Sequence, residues 1–178
     1  MILVTEVGDL EGGLRLLDLG FRNNPDAWIL PYLAAWDADR AGQPERAAAY
    51  FARAAKVEGA PYLVRRMEAG MLARAGRTED AMRMWESVRD DAGSDEASRA
   101  IAGRWLQILR TRQEIEALSA AVASYRERFG RFPRTLEDLP RAGLLRRVPH
   151  DPDGAPYGYD PESGLVTSAA GRILGADR

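Results

Sequence analysis

The chain has 178 residues, 46% of them hydrophobic, with 25 Lys plus Arg against 27 Asp plus Glu. A formal charge of −2 supplies none of the basic excess that nucleic-acid binding draws on, so no nucleic-acid partner is expected. With no cysteine and one histidine, His150, the sequence excludes disulfides, thiol catalysis, Cys-ligated zinc and a His-pair metal site within one chain.

The opening MILVTEVGDLEGG is apolar only briefly. It has neither a basic n-region nor a small-residue cleavage site, so no signal peptide is expected. No apolar run approaches the roughly 18–20 residues of a membrane helix. Residues 1–25 read as the end of a repeat whose first helix is mostly missing. One phrase is then written twice, AGQPERAAAYFARAA from Ala41 and AGRTEDAMRMWESVR from Ala75. In register, Gly42 falls on Gly76, Glu45 on Glu79, Ala47 on Ala81 and Phe51 on Trp85, each pair 34 residues apart. A backward step of 34 reaches Gly8, Glu11, Gly13 and Leu17, and the small residues Ala35 and Ala69 lead forward to Gly103. Self-similarity at this period marks stacked pairs of helices.

Each repeated residue type has a physical task. Gly42 and Gly76 end a helix, because glycine accepts the left-handed conformation. Pro44 sits at the start of the next helix, where its missing N–H is harmless. Thr78 caps or starts the corresponding helix. Ala47 and Ala81 let helices approach closely, and Phe51 and Trp85, one turn on, fill the space between repeats.

The pattern resembles the tetratricopeptide repeat. Ala35, Gly42, Ala47, Phe51 and Ala54 match one copy; Ala69, Gly76, Ala81 and Trp85 match the next, with Val88 in place of the last Ala. Pro25 matches the proline that closes a repeat. The resemblance implies repeats at about 26–59 and 60–93, the partial copy at 1–25 and a further helix over 95–110. It also implies a right-handed helical solenoid whose first helices line a concave, protein-binding face.

After 110 the repeat pattern departs, with no Gly or Pro between Arg110 and Gln113 to make the next turn. Ile115, Leu118, Val122, Tyr125 and Phe129 form one apolar stripe on a continuing helix. That stripe is expected to cap the array and pack on the tail. Thr135 with Asp138 starts a short helix over about 136–142. DPDG and DPESG are turns, and APYGYD and GLVTS read as two short strands. The fold expected is mainly α: repeats over 1–112, then a long helix, a short helix and a β-hairpin over 113–178.

Residues 118–168 resemble the periplasmic part of type II secretion pseudopilins. Tyr125, Gly130, Arg131, Phe132 and Pro133 are followed by Leu136, Glu137, Asp138 and Leu139, then Asp151, Pro152, Gly154, Pro156, Tyr157 and Tyr159, in the family's order. The family's membrane-spanning N-terminal helix is missing from this pattern. The resemblance therefore implies a module of similar shape rather than a fibre subunit.

For catalysis, one His and no Cys leave no triad to build. His150 reads as a surface residue beside a turn. The neighbouring carboxylates Glu79 with Asp80 and Asp90 with Asp91 lie on solvated helix faces, where nothing separates their pKa values. Asp151, Asp153, Asp160 and Glu162 read as turn-formers rather than a calcium site, since their spacing matches no EF-hand loop. Neither catalytic residue, metal nor cofactor is expected. The repeat register places Tyr32, Trp36 and Arg40, then Arg66, Gly70 and Arg74, then Arg104 and Gln107 along the concave face. Trp and Arg are what protein interfaces favour, and such a groove would be basic and suited to an acidic or C-terminal-carboxylate peptide. At the other end Ile2, Leu3 and Val4 are expected to dock on another protein, because terminal repeats need a polar outer face.

The expectation is a non-catalytic scaffold or adaptor in a larger bacterial assembly, a soluble chain at the cytoplasmic or periplasmic face of the envelope. Its partners would be other proteins, a membrane-embedded complex among them. The alternative is a structural accessory subunit of a secretion or pilus-type machine, docking through the pseudopilin-like tail.

Overall fold

The computed structural model describes residues 9–168. Helix α1 spans Leu10–Asn23, α2 Ile29–Arg40, α3 Pro44–Ala55, α4 Leu63–Arg74, α5 Thr78–Asp90 and α6 Glu96–Phe129. A four-residue helix α7, Asp138–Arg141, precedes strands β1, Gly158–Tyr159, and β2, Val166–Thr167. The described chain is mainly helical with one small antiparallel sheet. It divides into two units between Leu106 and Gln107, within α6. The boundary expected after residue 112 lies in the same helix. Ile2, Leu3 and Val4 lie outside the described residues.

In the first unit consecutive helices α1 to α5 pack pairwise, as a helical repeat does. The residues that recur at 34 are the ones the packing hides. Ala35, Ala47, Phe51 and Ala54 are fully buried, as are Ala69, Ala81 and Val88, with Trp85 almost so. Close helix approach at the alanines leaves room that Phe51 and Trp85 fill, and their burial removes large apolar areas from water.

Both AG turns close in the same way. Gly42 has φ +72°; its N–H donates to the Asp39 carbonyl and the Gln43 N–H to that of Ala38, both at 2.9 Å. Gly76 has φ +75°, and Arg77 N–H donates to Leu72 O at 2.9 Å. Two otherwise orphaned helix-end carbonyls are satisfied by each turn, at dihedrals that a Cβ would strain. Pro44 is the first residue of α3, and Thr78 starts α5 without a side-chain cap bond. Aspartates cap elsewhere: Asp9 accepts from Gly12 N at 2.8 Å, and Asp95 accepts from Ser98 N at 2.7 Å.

The third register shifts by one residue. Ala102, not Gly103, is the buried small residue of α6, with Leu106 beside it. A Cβ on Gly103 would meet no atom within 4 Å, so nothing presses against that position. Trp105 instead stacks on Trp85 with ring centroids 5.8 Å apart and planes 6° from parallel.

Three ion pairs also join successive repeats, each with the carboxylate 35 residues before its arginine. They are Glu11 with Arg46 (2.9 Å), Asp18 with Arg53 (2.6 Å), and Asp39 with Arg74. Surface pairs of this kind contribute little each; the three share one offset, a residue longer than the spacing of the buried positions.

In the second unit the apolar stripe of α6 packs on the tail. Leu118, Ala121, Val122 and Tyr125 form one cluster with Leu136, Leu139, Tyr157 and Val166. Ile115 lies at its edge, while Phe129, 46% exposed, only tilts against Tyr125 with centroids 4.5 Å apart. The short helix is shorter than expected, because Asp138 works from inside it: its carboxylate reaches back to Arg134 N at 3.0 Å and Thr135 N at 3.4 Å. Those backbone bonds hold the Asp138 carboxyl below the usual aspartate range. The hairpin pairs Gly158 with Thr167 and Tyr159 with Val166. It is anchored by polar tips: the Tyr159 hydroxyl donates to Pro133 O at 2.9 Å, and the Tyr157 hydroxyl donates to Glu114. Gly164, φ +76°, turns the chain where a Cβ would lie 2.5 Å from the Phe132 ring.

Candidate interaction surface

The candidate residues of α2 form a ladder. Trp28, Tyr32 and Trp36 recur every four residues, so they share one helix face. Trp28 and Tyr32 meet edge to face at 5.6 Å, and Tyr32 and Trp36 at 6.2 Å. Both Tyr32 and Trp36 set an edge on Phe51 of α3, each at 5.7 Å. All three ladder rings remain half-buried. Tyr32 and Trp36 thus pack on the core through Phe51 while part of each side chain stays exposed. Trp28, which the sequence reading passed over, continues the ladder; its signal was its place four residues before Tyr32.

The arginines of this face are differently placed. Arg40 lies 3.6 Å from Asp37, and Arg74 is paired with Asp39 of the preceding repeat. Both aspartates are only 13% exposed in their side chains, so each holds its guanidinium close to the helix surface. Arg66 is half-buried and donates to the Ser98 hydroxyl at 3.4 Å; Arg104 is exposed on α6. The groove expected to be basic is therefore partly self-neutralised. Asp37 and Asp39 were the signal, standing one turn and one residue before Arg40. Gly70 is half-buried with open space around its missing Cβ. Gln107 belongs to the second unit, where its amide donates to Asp153 at 2.6 Å.

Several other acidic groups are bound up in local structure. Asp80 sits between Arg77 and Arg83; the hydrogen bond from Arg77, with the charges of both arginines, holds its carboxyl below the usual range. Asp90 pairs with Arg89, and Asp91 with Arg65 at 2.9 Å. Asp151 is buried and accepts from Ala155 N at 2.8 Å, Asp153 N at 3.1 Å and the Ser168 hydroxyl at 3.2 Å. Asp160 accepts from Glu162 N at 3.0 Å and from the Ser163 hydroxyl. Each of these tail aspartates closes a turn. His150 is exposed and bridges Pro156 through its backbone. Among the described residues no group of His, Cys, Asp or Glu is arranged to hold a metal ion, and no helix is long and apolar enough to cross a membrane.

Comparison with known proteins finds no matching protein family, no matching curated protein and no matching solved structure.

Proposed function

We propose that this chain is a non-catalytic scaffold of tetratricopeptide type, an adaptor subunit in a larger bacterial assembly at the envelope. The observation that carries the reading is the half-buried Trp28–Tyr32–Trp36 ladder braced on Phe51. Rigid aromatic area lowers the entropy lost on binding, which is why Trp and Tyr concentrate the energy of protein interfaces. A peptide laid along this face would bury the ladder and find Arg66 and Arg104 on the helices that follow. Its favoured chemistry is an apolar residue followed by an acidic side chain or C-terminal carboxylate.

The test is fluorescence titration with short peptides of that pattern, carrying a free or an amidated C-terminus. Trp36→Ala and Arg104→Glu are expected to weaken binding by about tenfold or more, the scale of an interface hot spot. Circular dichroism checks that both variants remain folded. Equal affinity in both variants and the parent chain would remove this face from the interaction.

A second reading rests on the tail, whose hairpin residues Tyr157 and Val166 lie on Leu118, Val122 and Tyr125. In it, the pseudopilin-like module docks the chain as an accessory subunit of a secretion or pilus-type machine. Crosslinking from Arg146 or Arg147, both exposed, in the native envelope fraction distinguishes the two readings.

A further inference from the structure

A groove of about 330 Å³ lies over α4, between α3 and α5. Its floor is aliphatic: Ala48 and Ala52 of α3, Leu72 of α4 and Met84 of α5. Two carboxylates, Glu68 and Asp80, and two guanidinium groups, Arg77 and Arg83, stand in its wall. Glu68 and Leu72 lie two residues after Arg66 and Gly70, and two residues turn a helix by about 200°. The groove therefore opens on the side of α4 away from the candidate peptide-binding residues.

The two carboxylates of the groove are bonded differently. Asp80 is held by two guanidinium groups of the chain itself, those of Arg77 and Arg83. Glu68 is half-buried, and among the described residues its side chain accepts no hydrogen bond. Lys56 and Arg65 act on it only through space. Burial outweighs them and raises its pKa. An entering anion would meet Glu68, with Arg77 and Arg83 already committed to Asp80. An entering cation on an aliphatic stem would meet an apolar floor and an acceptor with unused capacity.

We propose that this groove is a second protein-docking site, which receives a partner's Arg or Lys side chain with its methylenes on Ala48, Ala52, Leu72 and Met84 and its cation on Glu68. The combination follows from how these side chains behave: long cationic residues bury their stems on apolar surface and hold the charged head at a polar rim. An arginine can also donate two parallel bonds to one carboxylate. The proposal rests on the scaffold reading only for a protein as the source of the cation.

The test uses the full chain and a helical Ala/Gln peptide with one central Arg, followed by methyl and carboxyl carbon NMR. The Arg peptide is expected to shift the Ala48, Ala52 and Met84 methyls and the Glu68 carboxyl saturably. The same peptide with neutral citrulline is expected to bind about tenfold more weakly, the value of one charge-assisted contact. Free agmatine, the same cation without a peptide, is expected to bind more weakly than the Arg peptide. Glu68→Gln is expected to abolish the preference for Arg over citrulline. Ala52→Leu is expected to block both peptides by filling the floor while leaving Glu68 in place. Folding is checked by thermal melts; Glu68→Gln should melt no lower at neutral pH, because a carboxylate whose pKa is raised costs stability when ionised. That difference should vanish below the ordinary glutamate pKa of about 4.3. Equal binding of the Arg and citrulline peptides, shifts centred on Asp80, or tighter binding of agmatine than of peptide would each overturn the proposal. None of these results alters the titration of Trp36→Ala or Arg104→Glu, so failure here and failure of the scaffold reading are separable.

Discussion

At the scale of residues, side-chain size decides most of what this chain does. Ala47 and Ala81 are fully buried one turn before Phe51 and Trp85, so neither position has room for further methylenes. Ala47→Leu and Ala81→Leu are expected to destabilise by overpacking, by roughly 1–3 kcal/mol. Thermal melts of the two variants check this, and two unchanged midpoints would show that these alanines do not mark the helix contact. Position 52 gives the contrast within the same helix. Ala52 lines an open groove rather than a packed contact, so a leucine there costs binding before it costs stability. Tyr32 and Trp36 stand between these cases: both pack on Phe51, and both remain half-buried.

At the scale of elements, the turns carry the repeat as firmly as the helices. Gly42 and Gly76 adopt nearly the same positive φ, and a Cβ on either would meet nothing within 4 Å. A substitution there is therefore charged for its dihedrals alone. Gly42→Ala and Gly76→Ala are each expected to cost about 1 kcal/mol, the left-handed penalty less the entropy that alanine removes from the unfolded chain. Asparagine, which tolerates this region better, is expected to cost less at both sites. Chemical denaturation of the four variants tests this; alanine and asparagine behaving alike would mean that something other than backbone strain sets the cost. Helix α6 shows the opposite behaviour. With no Gly or Pro between Arg110 and Gln113 it runs unbroken from Glu96 to Phe129, and the division between the two units falls inside it.

At the scale of the whole chain, each unit has its own way of burying apolar surface. The first stacks consecutive helices; the second wraps a Pro- and Gly-rich tail on one helix stripe. Removing residues 131–178 would strip Leu136, Leu139, Tyr157 and Val166 from Leu118, Val122 and Tyr125. Contiguous exposed apolar surface of this kind seeks cover, and the truncated chain is expected to self-associate in sedimentation velocity. A well-behaved monomer after truncation would show that the stripe does not depend on the tail.

Periodicity was legible in the sequence because it is written in residue type at fixed spacing. The 34-residue register, the glycine turns, the burial of Phe51 and Trp85 and the apolar stripe from Leu118 to Tyr125 all follow from such local rules. Tertiary structure decided whatever depends on which side chain meets which across repeats. The offset of 35 between carboxylate and arginine, the replacement of Gly103 by Ala102 as the buried small residue, and the neutralisation of Arg40 and Arg74 by Asp37 and Asp39 belong to that class. So does the state of Glu68, which has no side-chain hydrogen bond among the described residues, while Arg65 is engaged with Asp91 and Arg77 and Arg83 with Asp80. A helix pattern fixes which face is apolar; only packing fixes which charges on the other faces find each other.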